Sequence, residues 1–344
     1  MSLTEQHSET GVPLTPQEYA EVAAAVETEV AKLIVGQGRL VRQVLICLLA
    51  EGHALLEGVP GLGKTMLLRT LSQAVDLEFS RVQFTPDLMP ADIVGTQVLR
   101  EDDQGRRRFE FSKGPLFANL VLADEVNRAT PKTQSALLEA MQERAATVAG
   151  QTRPLPRPFF VMATQNPIEM EGTYPLPEAQ LDRFLLKILV ELPEPADMVK
   201  ILERTTAPYE PDVSKVVDTA KLRAMIHLTR QVPLAGHLAK YAASLVAATH
   251  PGRPEAPETV RRYVRFGASP RGAQALVLAA KVTALLSGGL NVSEEGLREV
   301  AAPALRHRVI LSYEALADGV SADAVIDSVL AHVPSPAEDL KDLG

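Results

Sequence analysis

GVPGLGKT, residues 58–65, is the segment that leaves this chain the least freedom. It fits the pattern G-x-x-x-x-G-K-[ST]. It stands between a short apolar run, HALLEG at 53–58, and a helical run starting near Gly63. Strand, glycine turn and helix in that order form the context in which such a loop holds phosphate. Glycines let successive backbone N–H groups turn inward around an anion, and the helix N-terminus adds positive potential. The loop then contributes Gly58, Val59, Pro60, Gly61, Leu62, Gly63, Lys64, Thr65 and Met66 to a nucleotide site. Lys64 would reach the β- and γ-phosphates, and the Thr65 hydroxyl would ligate Mg2+. A chance glycine-rich turn would account for neither flank.

Four further strand candidates follow, at 77–83, 120–124, 159–164 and 184–190, separated for the most part by helical patterns such as 133–143. The alternation predicts an α/β fold with a parallel sheet covered on both faces. Helical patterns at 17–32 and 40–51 precede the loop, broken by the two glycines of IVGQGR. Two intervals depart from the alternation. Residues 95–115 predict a hairpin turning about Asp102, Asp103, Gln104 and Gly105, and residues 145–158 a second one turning at Ala149 and Gly150. After ELPEPAD the character changes to four or five amphipathic helical stretches. The expected organisation is a disordered tail over 1–15, an αβα core over 16–195 and a helical domain over 196–344.

Composition fits that picture. The 344 residues suffice for two domains, and 46% apolar with 23% charged residues is ordinary for a globular chain. A net charge of −8 argues against wholesale nucleic-acid binding. The one cysteine, Cys47, lies in an apolar helical run and reads as a buried structural thiol. The polar N-terminus carries no hydrophobic leader, and no run approaches about 20 uninterrupted apolar residues. A cytoplasmic location is expected.

Three strand ends carry chemistry. LVLADE at 120–125 closes on two carboxylates: Asp124 is placed to hold the metal, Glu125 to polarise an attacking water. VMATQNP at 161–167 opens on the same edge of a parallel sheet, where Asn166 could meet the γ-phosphate or position water. The last strand is entered through Asp182 and Arg183. That places Arg183 at the opposite end of the sheet from its own nucleotide. It could neutralise charge in a neighbouring subunit's site; the alternative is a local ion pair with Asp182 or Glu178. Arg106–Arg108 face Glu101, Asp102 and Asp103 across the first hairpin, which suggests cross-strand pairing on a solvated ribbon. The arginines of ETVRRYVRF at 258–266 read as a solvated helix face, and His227 and His307 as helix-surface or satisfied core residues.

Taken together, DEVNRATPKTQSALLEAMQE at 124–143, ATQNP at 163–167 and EGTYPLPEAQLDRF at 171–184 resemble the AAA+ ATPases, and more narrowly the MoxR family. The resemblance runs over nearly the whole chain from about Ala31. It implies an AAA+ P-loop core with a five-stranded sheet ordered 5-1-4-3-2 and a C-terminal helical lid. The two hairpins correspond to the helix-2 insert and the pre-sensor-1 insert. Matched by position, Asn166 is sensor 1, Arg183 the arginine finger and Arg271, in GASPRG at 267–272, the sensor-2 arginine. IVGQ at 34–37 matches the loop lining the adenine pocket, which adds Val35 and Gly36 to the site, and Arg128 could be another interface arginine.

The expectation is Mg2+-dependent hydrolysis of ATP in a homo-oligomer, most simply a hexameric ring. The resemblance further implies chaperone-like remodelling of protein partners, often beside a protein carrying a von Willebrand factor A domain. A nucleic-acid motor of the helix-2-insert clade and the motor subunit of a metal chelatase are the alternatives.

Overall fold

The structure, a computed structural model, describes residues 14–59, 61–101, 105–166, 172–208 and 211–336. Most of the expected N-terminal tail, Pro60 and residues 102–104 of the first hairpin turn lie outside these residues.

The central sheet has five parallel strands, labelled here in chain order: β1 Ala54–Glu57, β2 Phe79–Gln83, β3 Leu120–Asp124, β4 Phe160–Gln165 and β5 Leu186–Leu189. They lie in the order β2-β3-β4-β1-β5, which is the expected 5-1-4-3-2 arrangement. The three inner strands are apolar at every core position because both of their faces are covered. Leu120, Leu122, Phe160, Met162, Ala54 and Leu56 face one hydrophobic core. Val121, Ala123, Val161, Ala163 and Leu55 face the other. The strand period of two thus divides each run between two cores. Lys187, the odd cation of the β5 run, pairs with Glu57 across the β1–β5 ladder at 2.7 Å.

The helices Pro16–Ala31, Gly38–Leu49 and Lys64–Ala74 cover the first face. Thr15 closes a capping box with Glu18 at the start of the first of them. Cys47 is buried in the second, where burial pushes its thiol pKa up. The helix Pro131–Glu143 covers the other face.

Both hairpins form. The first pairs Gly95–Glu101 with Arg107–Lys113, the second Ala145–Val148 with Gln151–Pro154. The second turns at Ala149 and Gly150, both at positive φ, as a two-residue type I′ hairpin turn requires. On the first, Arg107 pairs with Glu101 as expected, whereas Arg108 stands opposite Arg100, which pairs instead with Glu110.

Beyond residue 195 the count of four or five helices was too low. Eight helices occur among the described residues, from Pro195–Thr206 to Ala322–His332, together with a two-stranded ladder, Val264–Phe266 with Ile310–Leu311. Four of them begin at serine caps: Ser269, Ser293, Ser312 and Ser321 each accept a first-turn backbone N–H. These helices pack onto the same core as the N-terminal ones, and the hydroxyls of Tyr19 and Thr229 meet across it at 3.0 Å. Arg262 of the ETVRRYVRF segment pairs with Glu314 and Asp318 on the surface. No helix is long and apolar enough to cross a membrane among the described residues.

The last strand is shorter than its apolar run predicts. Phe184 and Leu185 form an irregular turn before β5, in which the Leu185 N–H reaches the His53 carbonyl. Leu77 likewise belongs to the end of the preceding helix, where its N–H caps the Ser72 carbonyl.

Candidate functional site

The phosphate loop joins the carboxyl end of β1 to the helix Lys64–Ala74. Gly63 stands before that helix at φ +76°, a left-handed conformation that glycine adopts without steric cost. Gly58 is required for a different reason: a Cβ there would lie 2.7 Å from the carbonyl oxygen of Val190, at the end of β5. The Lys64 ammonium donates to the Gly58 carbonyl at 2.7 Å. Burial lowers the Lys64 pKa, and the nearby charges of Asp124 and Glu125 oppose the shift.

A cleft of about 510 Å3 opens here. It gathers most of the residues predicted from sequence: Gly58, Gly61, Leu62, Gly63, Lys64, Thr65, Met66, Asp124, Glu125 and Asn166. Pro60 lies outside the described residues, and Val59, Val35 and Gly36 do not line this cleft. Gly36 lines a neighbouring cavity of about 220 Å3, bounded by residues 189–194, Arg306 and Asp323. Gln37 connects the two by donating its side-chain amide to the Leu62 carbonyl.

The carboxylates at the end of β3 are held by a network that the motifs alone do not announce. Thr164 of β4 donates its hydroxyl to Asp124 Oδ1 at 2.7 Å and accepts the Glu125 N–H at 2.8 Å. Arg81 of β2 donates to Asp124 Oδ2 at 2.6 Å. Gln83, two residues on, donates to Glu125 Oε2 at 2.7 Å, and Arg128 donates to the same oxygen at 3.1 Å. Glu125 itself stands at φ 56° and ψ 49°, a left-handed conformation costing about 1 kcal/mol or more for a residue with a side chain. The bond from its N–H to Thr164 and the short 3-10 turn Val126–Arg128 hold it there. That turn is in turn anchored by the buried Gln134, which donates to the carbonyls of Val126, Ala129 and Tyr174.

Arg81, Gln83, Thr164 and Arg69 all line the cleft and were missed from sequence. The signal was there for two of them. Arg81 and Gln83 flank the buried Val82, so they share one face of β2 at its carboxyl end, beside Asp124 in the ladder.

Thr65 and Asp124 suit a Mg2+ ion. They bring hard oxygen ligands to one cleft, with room for phosphate and water oxygens to complete an octahedron. The guanidinium of Arg81 on Asp124 shows that this carboxylate takes a cationic partner in this setting.

Arg183 and Arg271 are not brought to this cleft. Arg183 donates to the Leu138 carbonyl at 2.8 Å, not to Asp182 or Glu178, and lies in a shallow depression along the helix Pro131–Glu143. Arg271 stands 4.0 Å from Asp182. Both therefore lie at the amino end of β5, across the sheet from Lys64 and Asp124. Two buried histidines occupy this end. His53 accepts the Val161 N–H on Nδ1 and donates from Nε2 to the Met141 carbonyl, and burial pushes its pKa down to about 4. His307 donates from Nε2 to the Phe184 carbonyl while its buried Nδ1 has no partner; burial, with Arg308 beside it, holds its pKa well below the usual value. His227, by contrast, is a surface residue bonded to Gln231.

Comparison with known proteins agrees with this geometry. Residues 53–186 match the family model described as "ATPase family associated with various cellular activities (AAA)", and residues 257–329 match an AAA lid domain. The chain is 44% identical over 337 residues to Chaperone MoxR1 of Mycobacterium tuberculosis, covering 96% of this chain and 88% of that one. It is 33% identical to Protein MoxR of Paracoccus denitrificans, over 89% of this chain and 94% of the other. A candidate ATPase from Cytophaga hutchinsonii has a solved structure that superposes with a TM-score of 0.87 at 42% identity, over 93% of this chain and 96% of that one. With fold, cleft and near full-length similarity in agreement, this chain belongs to the MoxR family of AAA+ ATPases.

Proposed function

We propose that the protein hydrolyses ATP with Mg2+ in a ring of identical subunits and uses the cycle to remodel protein partners. The observation that carries this reading is Glu125. It is fixed in a strained backbone conformation beside Asp124 and Lys64, with its carboxylate over the cleft. A carboxylate so placed can accept the proton of a water attacking the γ-phosphate. Lys64 and the loop amides hold the phosphates, Asn166 orients the water or the γ-phosphate, and Thr65 with Asp124 holds the metal. When bound, Mg2+ draws charge from the β- and γ-phosphate oxygens.

Arg183 and Arg271 are too far across the sheet to serve this cleft, so we assign both to the cleft of a neighbouring subunit. There a guanidinium stabilises charge on the transferring phosphoryl group. A site shared in this way calls for a closed ring, most simply a hexamer. In this reading a nucleotide-binding core to about residue 195 is followed by a helical lid, and Val35 and Gly36 lie close to the adenine. A remodelling role is supported by the M. tuberculosis relative, which is named as a chaperone. We further propose a cytoplasmic site of action and a partner carrying a von Willebrand factor A domain. The net charge of −8 counts against the nucleic-acid motor.

Glu125→Gln subunits keep ATP binding and lose turnover, whereas Arg183→Ala subunits keep a sound cleft but lack the finger. Mixing the two restores hydrolysis at interfaces where an Arg183→Ala cleft meets a Glu125→Gln neighbour. ATPase rates that stay at the sum of the two parents at every mixing ratio, with co-assembly demonstrated, would overturn the shared site.

A further inference from the structure

The turn that carries Arg183 is gripped by the helical region. Arg308, almost wholly buried, donates Nε to Asp182 Oδ1 at 2.8 Å. Its Nη2 reaches the carbonyls of Asp182 and Phe184, and its Nη1 those of Leu185 and Ala304. On either side in the chain, Arg306 donates to the Lys187 carbonyl and His307 to that of Phe184. Ser269 donates its hydroxyl to both Asp182 carboxylate oxygens, at 3.0 and 2.9 Å. Three consecutive residues of the helical region therefore hold the carbonyls of residues 182, 184, 185 and 187.

This turn ends the short helix Glu178–Leu181 and leads into β5. Successive side chains on such a turn leave it in different directions. Pinning Asp182 toward the helical region thus sends Arg183 the other way, onto the Leu138 carbonyl. A guanidinium that acts across an interface must be aimed to within a fraction of an ångström. Asp182, the residue before it, takes bonds from Arg308 and Ser269 on its carboxylate and from Arg308 on its carbonyl.

We infer that Asp182 and Arg308 are positioning residues for Arg183, so that the helical region of one subunit sets the reach of its arginine into the next. The inference rests on the reading that Arg183 serves a neighbouring cleft. Neither residue lines the nucleotide cleft of its own subunit.

The test uses full-length assemblies. Arg183→Ala slows turnover on the order of 10^3-fold if it removes a finger. Asp182→Asn, which misplaces rather than removes it, slows turnover about 10^2-fold while a fluorescent ADP analogue binds as tightly as before. Mixed with Glu125→Gln subunits, Asp182→Asn regains turnover, and the double variant Asp182→Asn/Arg183→Ala is no slower than Arg183→Ala alone. Arg308→Lys, which keeps the charge beside Asp182 but loses carbonyl contacts, shows the same pattern at smaller amplitude and serves if the Asn variant does not fold. Additive losses in the double variant, or nucleotide affinity falling in step with turnover, would overturn the positioning role. If Arg183→Ala is not rescued by mixing, the shared site fails, and the double-variant comparison alone still decides whether Asp182 acts through Arg183.

Discussion

Each end of the sheet has an arginine–aspartate pair of nearly equal length, and the two are built for opposite purposes. At the phosphate end Arg81 meets Asp124 at 2.6 Å with 46% of its side chain exposed. At the other end Arg308 meets Asp182 at 2.8 Å with 3% exposed. In the first pair the arginine is wet and is bonded further to Gln83, while Asp124 keeps the Thr164 hydroxyl, so the arginine can give way to another cation. In the second the arginine is dry and polydentate, and the other cation near Asp182, Arg271 at 4.0 Å, makes none of its carbonyl bonds. Distance does not distinguish a contact that is exchanged during a cycle from one that holds a frame; burial and the number of further bonds do.

The contrast can be broken most directly at the dry end. Arg308→Ala takes the buried guanidinium away from Asp182 and from four carbonyl groups and should cost about 3–5 kcal/mol of stability, read from urea or thermal unfolding. A loss below about 1 kcal/mol would place it with ordinary surface pairs. Acid should act on the same end. His53 is neutral in the fold with its pKa near 4, while in the unfolded chain it takes up a proton below its usual 6.5. Stability is therefore undiminished above pH 6.5, falls as pH drops from 6.5 toward 4, and then levels off for this group. Its share is about 3 kcal/mol. His307 pulls in the same direction. An unfolding midpoint that stays flat over that window would show that neither ring is neutral because of its burial. The smallest effect belongs to the wet end, where Arg81→Ala should change unfolding free energy by about 1 kcal/mol or less. Anything near the Arg308 value would erase the distinction.

The two ends also differ in how far the sequence reveals them. The phosphate end is made of backbone turned by glycines and of carboxylates at strand ends, so GVPGLGKT and LVLADE announce it within a few residues each. The strand–helix alternation and both hairpins were equally legible, because periodicity and turn chemistry are local; the order of the strands came only with the family resemblance. The far end is assembled from Asp182, Ser269 and Arg308, more than 120 residues apart at the extremes, and no local pattern marks Arg308 as a partner of Asp182. Thr164 was hidden for a related reason. It reads as one more β-branched strand residue until β4 is laid beside β3, where its hydroxyl orders Asp124 and Glu125 together. Arg271 marks the other limit: a motif match names the residue, but only the packing of the helical region shows which end of the sheet it faces.

The two hairpins, separate in sequence, are fastened to each other. Arg153 of the second lays its guanidinium over the Phe111 ring of the first at 4.1 Å, and Phe111 also packs edge-on against Phe117. Exchanging one hairpin for one that lacks this partner would leave the other with an unmatched arginine or an uncovered ring. Chimaeras within the family should therefore trade the whole stretch from Gly95 through Pro158 as a single cassette.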